Sequence, residues 1–351
     1  MVGTNGLARE KGTETGHSIY PANHQSGDRS AAQISHQINY RSLLHSPSEA
    51  AAEYVQYAEA IRKHPGITWG VPSMDRQIIP MRPGDVVGII ARPGHGKSTL
   101  SAHVCRREGK RIAAAGMADK ECAVYVSFEQ SVEEIEALFQ TGESYSVTDL
   151  AWGRADMEQV KAGAVERMRL PVWLMGESMN RRRKTPRMTV DTVYKTLMQM
   201  ESEYHIKPTL VVFDYIQIVP VEGMSERTQQ VSEAIVRSKE LARYIGCPIL
   251  MCVQASRAVD NRTDKIPTAA DCQWASAIEQ ASDKLLGIWR PALTEPDARS
   301  IEVNGKDYQV SQRLFVAKLL KQRMAGAGYV FPMYFAPELV RLSDIESESV
   351  L

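Results

Sequence analysis

A short glycine-rich segment constrains the fold of this 351-residue chain more than any other feature of its sequence. Residues 91–99 read Ala-Arg-Pro-Gly-His-Gly-Lys-Ser-Thr, and they lie between an apolar run at 86–90 and a stretch with helical periodicity at 98–107. Gly94 and Gly96 allow the backbone to curl, so that successive N–H groups point toward one centre. A strand, a curled loop and a helix in this order predict a phosphate-binding loop at the start of that helix.

The same segment resembles the Walker A pattern, with Ala91 in place of the usual first glycine. This pattern predicts that ATP and Mg²⁺ bind here, because the lysine ammonium reaches the β and γ phosphates and the next hydroxyl can ligate the metal. We therefore assign Lys97 to catalysis as well as to binding, and Ser98 to the metal. The predicted phosphate-binding residues are Arg92, Pro93, Gly94, His95, Gly96, Lys97, Ser98 and Thr99.

Short apolar runs alternate with helical stretches through the middle of the chain. The predicted strands are 85–90, 123–128, 210–213, 249–253 and 285–289, and the predicted helices are 98–107, 132–140, 189–204 and 231–244. This alternation is typical of an α/β domain with a mainly parallel sheet flanked by helices. Near the end, two further runs at 314–318 and 329–335 surround a glycine-rich turn and predict a C-terminal β-hairpin.

Composition along the chain predicts four regions. Residues 1–45 are polar and read as a disordered arm. Residues 46–64 are predicted to form a linker helix with Ser48 as its N-cap, and this helix either packs on its own domain or docks on a neighbouring subunit. The ATPase domain is expected at 65–343, and residues 344–351 are expected to form a tail.

Three polar residues that follow predicted strands complete the expected site. Asp214 ends an apolar run in the manner of a Walker B strand, which predicts that it holds Mg²⁺ through water. Glu129 is predicted to orient or deprotonate the attacking water, and the alternative is that it caps the following helix. Gln254 is predicted to hydrogen-bond the γ phosphate, with an ordinary surface glutamine as the alternative.

The charge balance excludes one class of nucleic-acid-binding protein. Lys plus Arg and Asp plus Glu both number 42, so the net charge is zero, whereas a protein that coats nucleic acid is usually basic. Any contact with nucleic acid must therefore come from a local patch. The apolar runs are too short to span a membrane and the N-terminus lacks an apolar signal core, so we expect a cytoplasmic protein without membrane contacts.

Taken together, these motifs resemble the C-terminal ATPase domain of DnaB-type replicative helicases. The resemblance covers about residues 65–343. It is carried by the phosphate-binding loop and by five further segments, which are Asp214-Tyr215-Ile216-Gln217-Ile218, Gln229-Gln230-Val231-Ser232-Glu233, Lys239-Glu240-Leu241-Ala242, Ser276-Ala277-Ile278-Glu279-Gln280-Ala281-Ser282-Asp283 and Lys321-Gln322-Arg323. The resemblance implies a RecA-like core that ends in the β-hairpin, and a homohexameric ring with ATP between subunits.

The resemblance also implies roles for residues outside the local motifs. Arg323 would be an arginine finger that one subunit supplies to the γ phosphate of its neighbour, with Lys321 beside it as a second catalytic residue. From the residues alone, the alternative is a basic, solvated hairpin edge. The inner wall of the ring would carry the predicted DNA-binding residues, which are Arg227, Arg257, Arg262, Lys265, Gln273 and Trp274.

Two features depart from the family pattern. About 65 residues precede the core, whereas the family has a large N-terminal domain that meets primase. The family's DNA-binding loop carries Arg-Glu-Ser-Gly where this chain has Gln273-Trp274-Ala275-Ser276, so the arginine and the glycine are both replaced.

Two hypotheses therefore stand. The first is an ATP-driven, ring-forming translocase on single-stranded DNA that acts as a replicative-type helicase. The second is a RecA-type ATPase that regulates or loads a protein partner without unwinding DNA. Either hypothesis allows a replication or loader protein as a partner.

Overall fold

The computed structural model describes residues 43–140, 145–180, 185–221, 224, 226–272 and 274–345. Most of the predicted arm, the last residues of the predicted tail and Gln273 lie outside these ranges, and only the backbone of Arg227 is described. The chain divides into two compact units, Met1–Val55 and Gln56–Leu351.

The first helix, α1 (Pro47–Lys63), coincides with the predicted linker helix except at its start. The prediction of Ser48 as its N-cap was wrong, because the cap is Ser46. The N–H of Glu49 donates to Ser46 Oγ at 3.3 Å, and the Glu49 carboxylate accepts from the Ser46 N–H at 2.6 Å. This reciprocal pair is a capping box. Pro47 then fits the first helical position, where no N–H is needed.

The strands of the described ranges form one large sheet and one small hairpin. Their bounds are β1 (Val86–Ala91), β2 (Glu121–Ser127), β3 (Val172–Met175), β4 (Lys207–Asp214), β5 (Ile249–Gln254), β6 (Lys284–Trp289), β7 (Ser300–Val303), β8 (Lys306–Gln309), β9 (Leu314–Gln322), β10 (Val330–Ala336) and β11 (Arg341–Asp344). The hairpin consists of β7 and β8, which pair only with each other within these ranges.

The order of strands across the large sheet is β11-β10-β9-β6-β1-β5-β4-β2-β3. Strands β1 to β6 pair with one another in parallel, and β9, β10 and β11 extend one edge as antiparallel strands. The predicted α/β fold with a mainly parallel sheet and a C-terminal hairpin is confirmed.

Helices cover the sheet and connect its parallel strands. They are α2 (Pro72–Asp75), α3 (Lys97–Ala114), α4 (Val132–Gln140), α5 (Val147–Ala151), α6 (Met157–Met168), α7 (Val190–Tyr204), α8 (Arg227–Ile245), α9 (Ala275–Ala281) and α10 (Pro291–Thr294). Within the described ranges, no helix is long and apolar enough to cross a lipid bilayer.

Several elements were not predicted. The edge strand β3 is a continuous run of four apolar residues, as long as the predicted strand at 210–213, so its sequence signal was present but was missed. The hairpin of β7 and β8 contains charged residues at most outward positions. Helix α6 has no buried residue, so no apolar stripe marks it in the sequence.

The parallel pairing brings the predicted site residues to one edge of the sheet. All six residues of β1 are buried, and its last residue, Ala91, is in register with Gln254 of β5. On the other side of β5, strand β4 ends at Asp214, which is in register with Ser127 of β2. Because parallel strands end at a common edge, the loops after β1, β2, β4 and β5 share one region of the molecule.

Candidate nucleotide-binding site

The glycine-rich loop joins β1 to α3 and has the backbone shape that its glycines predict. Gly94 and Gly96 have φ angles of 78° and 93°, in the left-handed region that favours glycine. A Cβ atom on Gly96 would also lie 3.1 Å from the rings of both Phe315 and Phe335. Position 96 therefore requires glycine for two independent reasons. The loop leads directly into the positive N-terminal end of α3, which suits a phosphate group.

Lys97 is the first residue of α3 and is buried at the carboxyl edge of the sheet. Burial lowers the pKa of its ammonium, while Cys252, Asp214 and Glu129 act in the opposite direction. A buried cation that lies near carboxylates is suited to gain a further anionic partner, because each negative charge stabilises its protonated form. The side chain is therefore placed where a phosphate would complete its electrostatic environment.

A buried tyrosine connects the two predicted metal ligands. The Tyr125 hydroxyl donates to Asp214 Oδ2 at 2.7 Å and lies 3.1 Å from Ser101 Oγ. The single proton of Ser101 Oγ can go either to the Tyr125 oxygen or to the backbone oxygen of Ser98, which is also 3.1 Å away. Asp214 at the end of β4 and the first turn of α3, which carries Ser98, therefore both contact this pair of buried hydroxyls.

The donor set near Ser98 and Asp214 fits Mg²⁺, which prefers oxygen ligands and usually keeps several waters. In the described part of the chain, no three His, Cys, Asp or Glu side chains cluster closely enough to hold a metal by themselves. A hydroxyl, one carboxylate and the phosphates of a nucleotide would therefore share the ion with water, as is usual for phosphate-bound magnesium.

Glu129 follows β2 and is exposed, two residues after the position that is in register with Asp214. The N–H of Phe128 donates to the backbone oxygen of Asp214 at 2.9 Å, which holds the two strand ends together. The helix that follows Glu129 already has a capping box from Ser131 and Glu134. The alternative role of Glu129 as the cap of α4 is therefore taken by other residues.

Gln254 ends β5 beside the glycine-rich loop and is half-buried. Its backbone oxygen accepts from Gln217 Nε2 at 2.8 Å, which ties the end of β5 to the segment after β4. This position is compatible with the predicted contact to a γ phosphate.

Arg290, which sequence reasoning missed, supports the loop from outside. Its backbone N–H donates to His95 Nδ1 at 3.1 Å, and its Nη1 donates to the Gly94 oxygen at 3.2 Å. Its guanidinium also lies over the Phe335 ring, 4.9 Å from the centroid. Burial and the charge of Arg290 lower the pKa of His95 to about 4, so this imidazole is neutral at physiological pH.

Arg92 was predicted to bind phosphate, but its side chain points elsewhere. Its Nε lies 3.1 Å from Asp260 Oδ2, and its Nη1 donates to the backbone oxygen of Ala255 at 3.2 Å. Only the backbone of Arg92 therefore lies in the phosphate-binding curl.

Arg323 and Lys321 lie at the amino ends of the parallel strands, whereas the glycine-rich loop lies at their carboxyl ends. Strand β9 runs antiparallel to β6, so its end lies beside the start of β6. There Arg323 Nη1 pairs with Asp283 at 3.2 Å, and Lys321 Nζ donates to the Glu279 backbone oxygen. Arg323 remains half exposed, with 53% of its side-chain surface accessible. Neither cation can reach the phosphate-binding loop of its own chain.

The predicted DNA-binding residues differ in how they are held. Arg257 is exposed, whereas Arg262 pairs with Asp271 at 3.0 Å and Lys265 Nζ donates to the Asp260 backbone oxygen at 2.7 Å. Trp274 is half-buried, and its indole N–H has no hydrogen-bond partner among the described residues. Arg257 is thus the most accessible of the predicted cations whose side chains are described.

Residues 66–344 match the family model of the DnaB-like helicase C terminal domain. The chain belongs to this family. The resemblance first seen in the motifs is therefore confirmed over most of the chain.

Curated relatives carry the same family name. The "Replicative DNA helicase DnaB" of Pasteurella multocida (strain Pm70) is 25% identical over 234 residues, which make up 64% of this chain and 46% of that protein. The protein of the same name from Leifsonia xyli subsp. xyli (strain CTCB07) is 25% identical over 259 residues, 71% of this chain and 53% of the relative. The chain spans about half the length of the curated relatives it matches.

Solved structures of DnaB-like ATPase domains have the same fold. One solved ATPase domain superposes with a TM-score of 0.68 at 19% identity, and the match covers 86% of this chain and 100% of that one. A DnaB-like replicative helicase, described with its interactions with primase, superposes with a TM-score of 0.67 at 18% identity, over 86% of this chain and 67% of that one. The fold is thus the RecA-like fold of DnaB-like ATPase domains.

Three residues of the site were missed in the sequence, and one of them had a readable signal. Tyr125 interrupts the aliphatic run of Ala123, Val124 and Val126 in a buried strand, and a buried tyrosine hydroxyl needs a polar partner. Arg290 and Asp283 act through contacts with residues far away in the chain. Asp283 ends one of the segments that resemble the family, but that segment does not reveal its contact with Arg323.

Proposed function

We propose that this protein hydrolyses ATP and uses the reaction to move along single-stranded DNA as a ring-forming, replicative-type helicase. One observation carries the proposal. Lys97, Asp214 and Glu129 meet at one edge of the sheet, and Arg323 lies at the opposite edge. An arginine so placed can act on a phosphate only if a second subunit supplies it. A ring in which each subunit presents Arg323 to its neighbour, a homohexamer in our proposal, meets this requirement.

Each residue has a defined part in the proposed reaction. The Lys97 ammonium neutralises charge on the transferring phosphate, and Glu129 orients or deprotonates the attacking water. When bound, Mg²⁺ would supply further charge neutralisation between the phosphates, held by Ser98 and, through water, by Asp214. Arg323 of the adjacent subunit stabilises the charge that develops during transfer, with Lys321 beside it.

Support for DNA binding comes from the family and from the loop after β5. This loop carries the exposed Arg257. It also carries Arg262, which pairs with Asp271, and Lys265, which donates to the backbone oxygen of Asp260. Such a loop suits weak, sequence-independent phosphate contacts, and six copies in a ring would add their contributions. We propose single-stranded DNA as the polymer that this loop binds.

The relatives suggest the setting of the proposed activity. Their names describe replicative helicases, and one structure records interactions with primase. We therefore propose a replication or loader protein as a partner and the cytoplasm as the location.

The rate of ATP hydrolysis with and without single-stranded DNA tests the proposal. We expect DNA to raise the rate, and we expect the stimulation to fall as salt rises because phosphate contacts release counterions. If the protein hydrolyses ATP but neither binds DNA at low salt nor responds to it, the ATPase that acts on a protein partner becomes the better account.

A further inference from the structure

The Arg92 side chain connects the nucleotide site to the predicted DNA-binding loop. Its Nε donates to Asp260, with distances of 3.2 and 3.1 Å to the two carboxylate oxygens. Its Nη1 donates to Ala255, whose own N–H donates to the backbone oxygen of Ala91 at 2.8 Å. Two residues at the start of the phosphate-binding curl therefore contact both the start and the middle of the segment 255–272.

Hydrogen bonds and an ion pair connect distant residues within the segment 255–272, so a displacement of Asp260 would also move other parts of the segment. The Asp260 backbone oxygen accepts from Lys265 Nζ at 2.7 Å. Arg262 pairs with Asp271 at 3.0 Å, and the backbone oxygen of Asp271 accepts from the Ser256 N–H at 2.8 Å. Of the cations predicted to meet DNA, Lys265 thus contacts Asp260 directly, and Arg262 is held within the same segment through Asp271.

The ion pair between Arg92 and Asp260 is largely shielded from water, so its attraction is stronger than that of a pair on the surface. The Arg92 side chain is only 16% exposed and that of Asp260 is 36% exposed, so water screens their attraction incompletely. A hydrogen bond between two charged groups is shorter and stronger than one between neutral groups. Since Arg92 directly follows β1, a shift of the loop on phosphate binding would move its guanidinium.

We propose that Arg92 and Asp260 are a positioning pair that couples nucleotide binding to DNA binding within one subunit. The inference rests on the proposed function, because it assumes that ATP binds the curl and that DNA binds the segment 255–272. The pair holds the segment in the arrangement that the occupied loop favours. By linkage, it must then change DNA affinity when nucleotide binds, and nucleotide affinity when DNA binds.

The test compares two single substitutions that remove the same charge from the same segment. Asp260→Asn breaks the pair, whereas Asp264→Asn is the matched control, since Asp264 is exposed and contacts Lys318 at 3.3 Å and the Ile266 N–H at 3.0 Å rather than Arg92. The measurement is fluorescence anisotropy of a labelled oligonucleotide with full-length protein, with and without a non-hydrolysable ATP analogue. We expect wild type and Asp264→Asn to show the same nucleotide-dependent change in DNA affinity.

For Asp260→Asn, we expect this nucleotide-dependent change to shrink about fivefold or more, the lower end of usual coupling strengths. Asp260→Glu keeps the carboxylate and is therefore expected to retain a large part of the nucleotide-dependent change in DNA affinity. The melting temperatures of all variants are measured as well. If they are equal, loss of coupling in Asp260→Asn but not in Asp260→Glu cannot come from a general loss of stability. Equal coupling in wild type and Asp260→Asn would overturn the inference while leaving the proposed function intact. A wild type that binds no DNA would instead contradict the proposed function.

A second measurement keeps the inference testable if Asp260→Asn does not fold. Hydrogen exchange of the wild-type protein reports opening of the segment 255–272 directly. We expect the ATP analogue to change the protection of amides in this segment, although they lie outside the phosphate-binding curl. Unchanged protection throughout 255–272, with analogue shown to be bound, would overturn the proposed coupling.

Discussion

At the scale of single residues, two carboxylates at neighbouring strand ends have different surroundings. Asp214 is buried and accepts a hydrogen bond from Tyr125, whereas Glu129 is exposed beside it. A buried, oriented carboxylate suits metal binding, and an exposed one can meet water. The sequence pattern placed both residues after apolar runs, but it could not show that Asp214 is buried and Glu129 is exposed.

Substitutions should separate these two roles. Glu129→Gln removes a general base and is expected to lower the hydrolysis rate by about 10²–10⁴-fold while ATP affinity stays near wild type. Asp214→Asn is expected to weaken the Mg²⁺-dependent part of nucleotide binding. Equilibrium binding of a fluorescent ATP analogue, measured beside steady-state hydrolysis, distinguishes the two effects. Normal hydrolysis by Glu129→Gln would contradict its catalytic role.

The Tyr125 hydroxyl provides a more specific prediction. In Tyr125→Phe, Asp214 loses a buried donor, which should cost about 1–3 kcal/mol of folding free energy and raise the Mg²⁺ concentration needed for hydrolysis. Tyr145→Phe is the matched control, since its hydroxyl donates to Gln140 at 3.0 Å in a different part of the fold. Thermal unfolding and Mg²⁺ titrations of activity test both variants. An unchanged Mg²⁺ requirement in Tyr125→Phe would show that the hydrogen bond does not support the metal ligand.

At the scale of elements, the strongest periodic patterns predicted the fold well. The five buried parallel strands produce continuous apolar runs, so β1, β2, β4, β5 and β6 were found with small errors at their ends. Two elements at the margins were missed for different reasons: β3 is an apolar run of only four residues, and the 12-residue helix α6 has no buried residue. In the site, Lys97 and Asp214 follow strands, but Arg290 reaches Gly94 across nearly 200 residues of chain.

The antiparallel extension of the sheet carries a prediction of its own. Because β9 delivers Arg323 to the edge away from its own phosphate-binding loop, Arg323→Ala and Lys97→Ala should each be inactive but should complement each other. In an equal mixture, roughly a quarter of the head-to-tail interfaces would pair an intact loop with an intact arginine, which sets the expected recovery of hydrolysis.

This complementation needs a control and a clear failure. Arg341→Ala, which changes an exposed arginine on β11 of the same extension, should keep full activity alone. Mixed assemblies of the two inactive proteins that recover no hydrolysis, although the subunits demonstrably exchange, would contradict an active site shared between subunits.

At the scale of the whole molecule, the chain has no net charge, and its predicted catalytic residues lie at both ends of the parallel strands. A neutral subunit attracts DNA only weakly over long range, whereas a ring can add several weak contacts on one strand. The positions of Lys97 and Arg323 therefore favour an assembly in which hydrolysis and movement are shared among subunits.

Strand displacement on a forked DNA substrate is the most direct test of this proposal. We predict that the wild-type protein separates the strands with ATP and Mg²⁺, and that it fails with a non-hydrolysable ATP analogue. Lys97→Ala should fail even with ATP, because the transferring phosphate then lacks its ammonium partner. A wild-type protein that binds the fork and hydrolyses ATP at full rate, yet separates no strands, would contradict the helicase function.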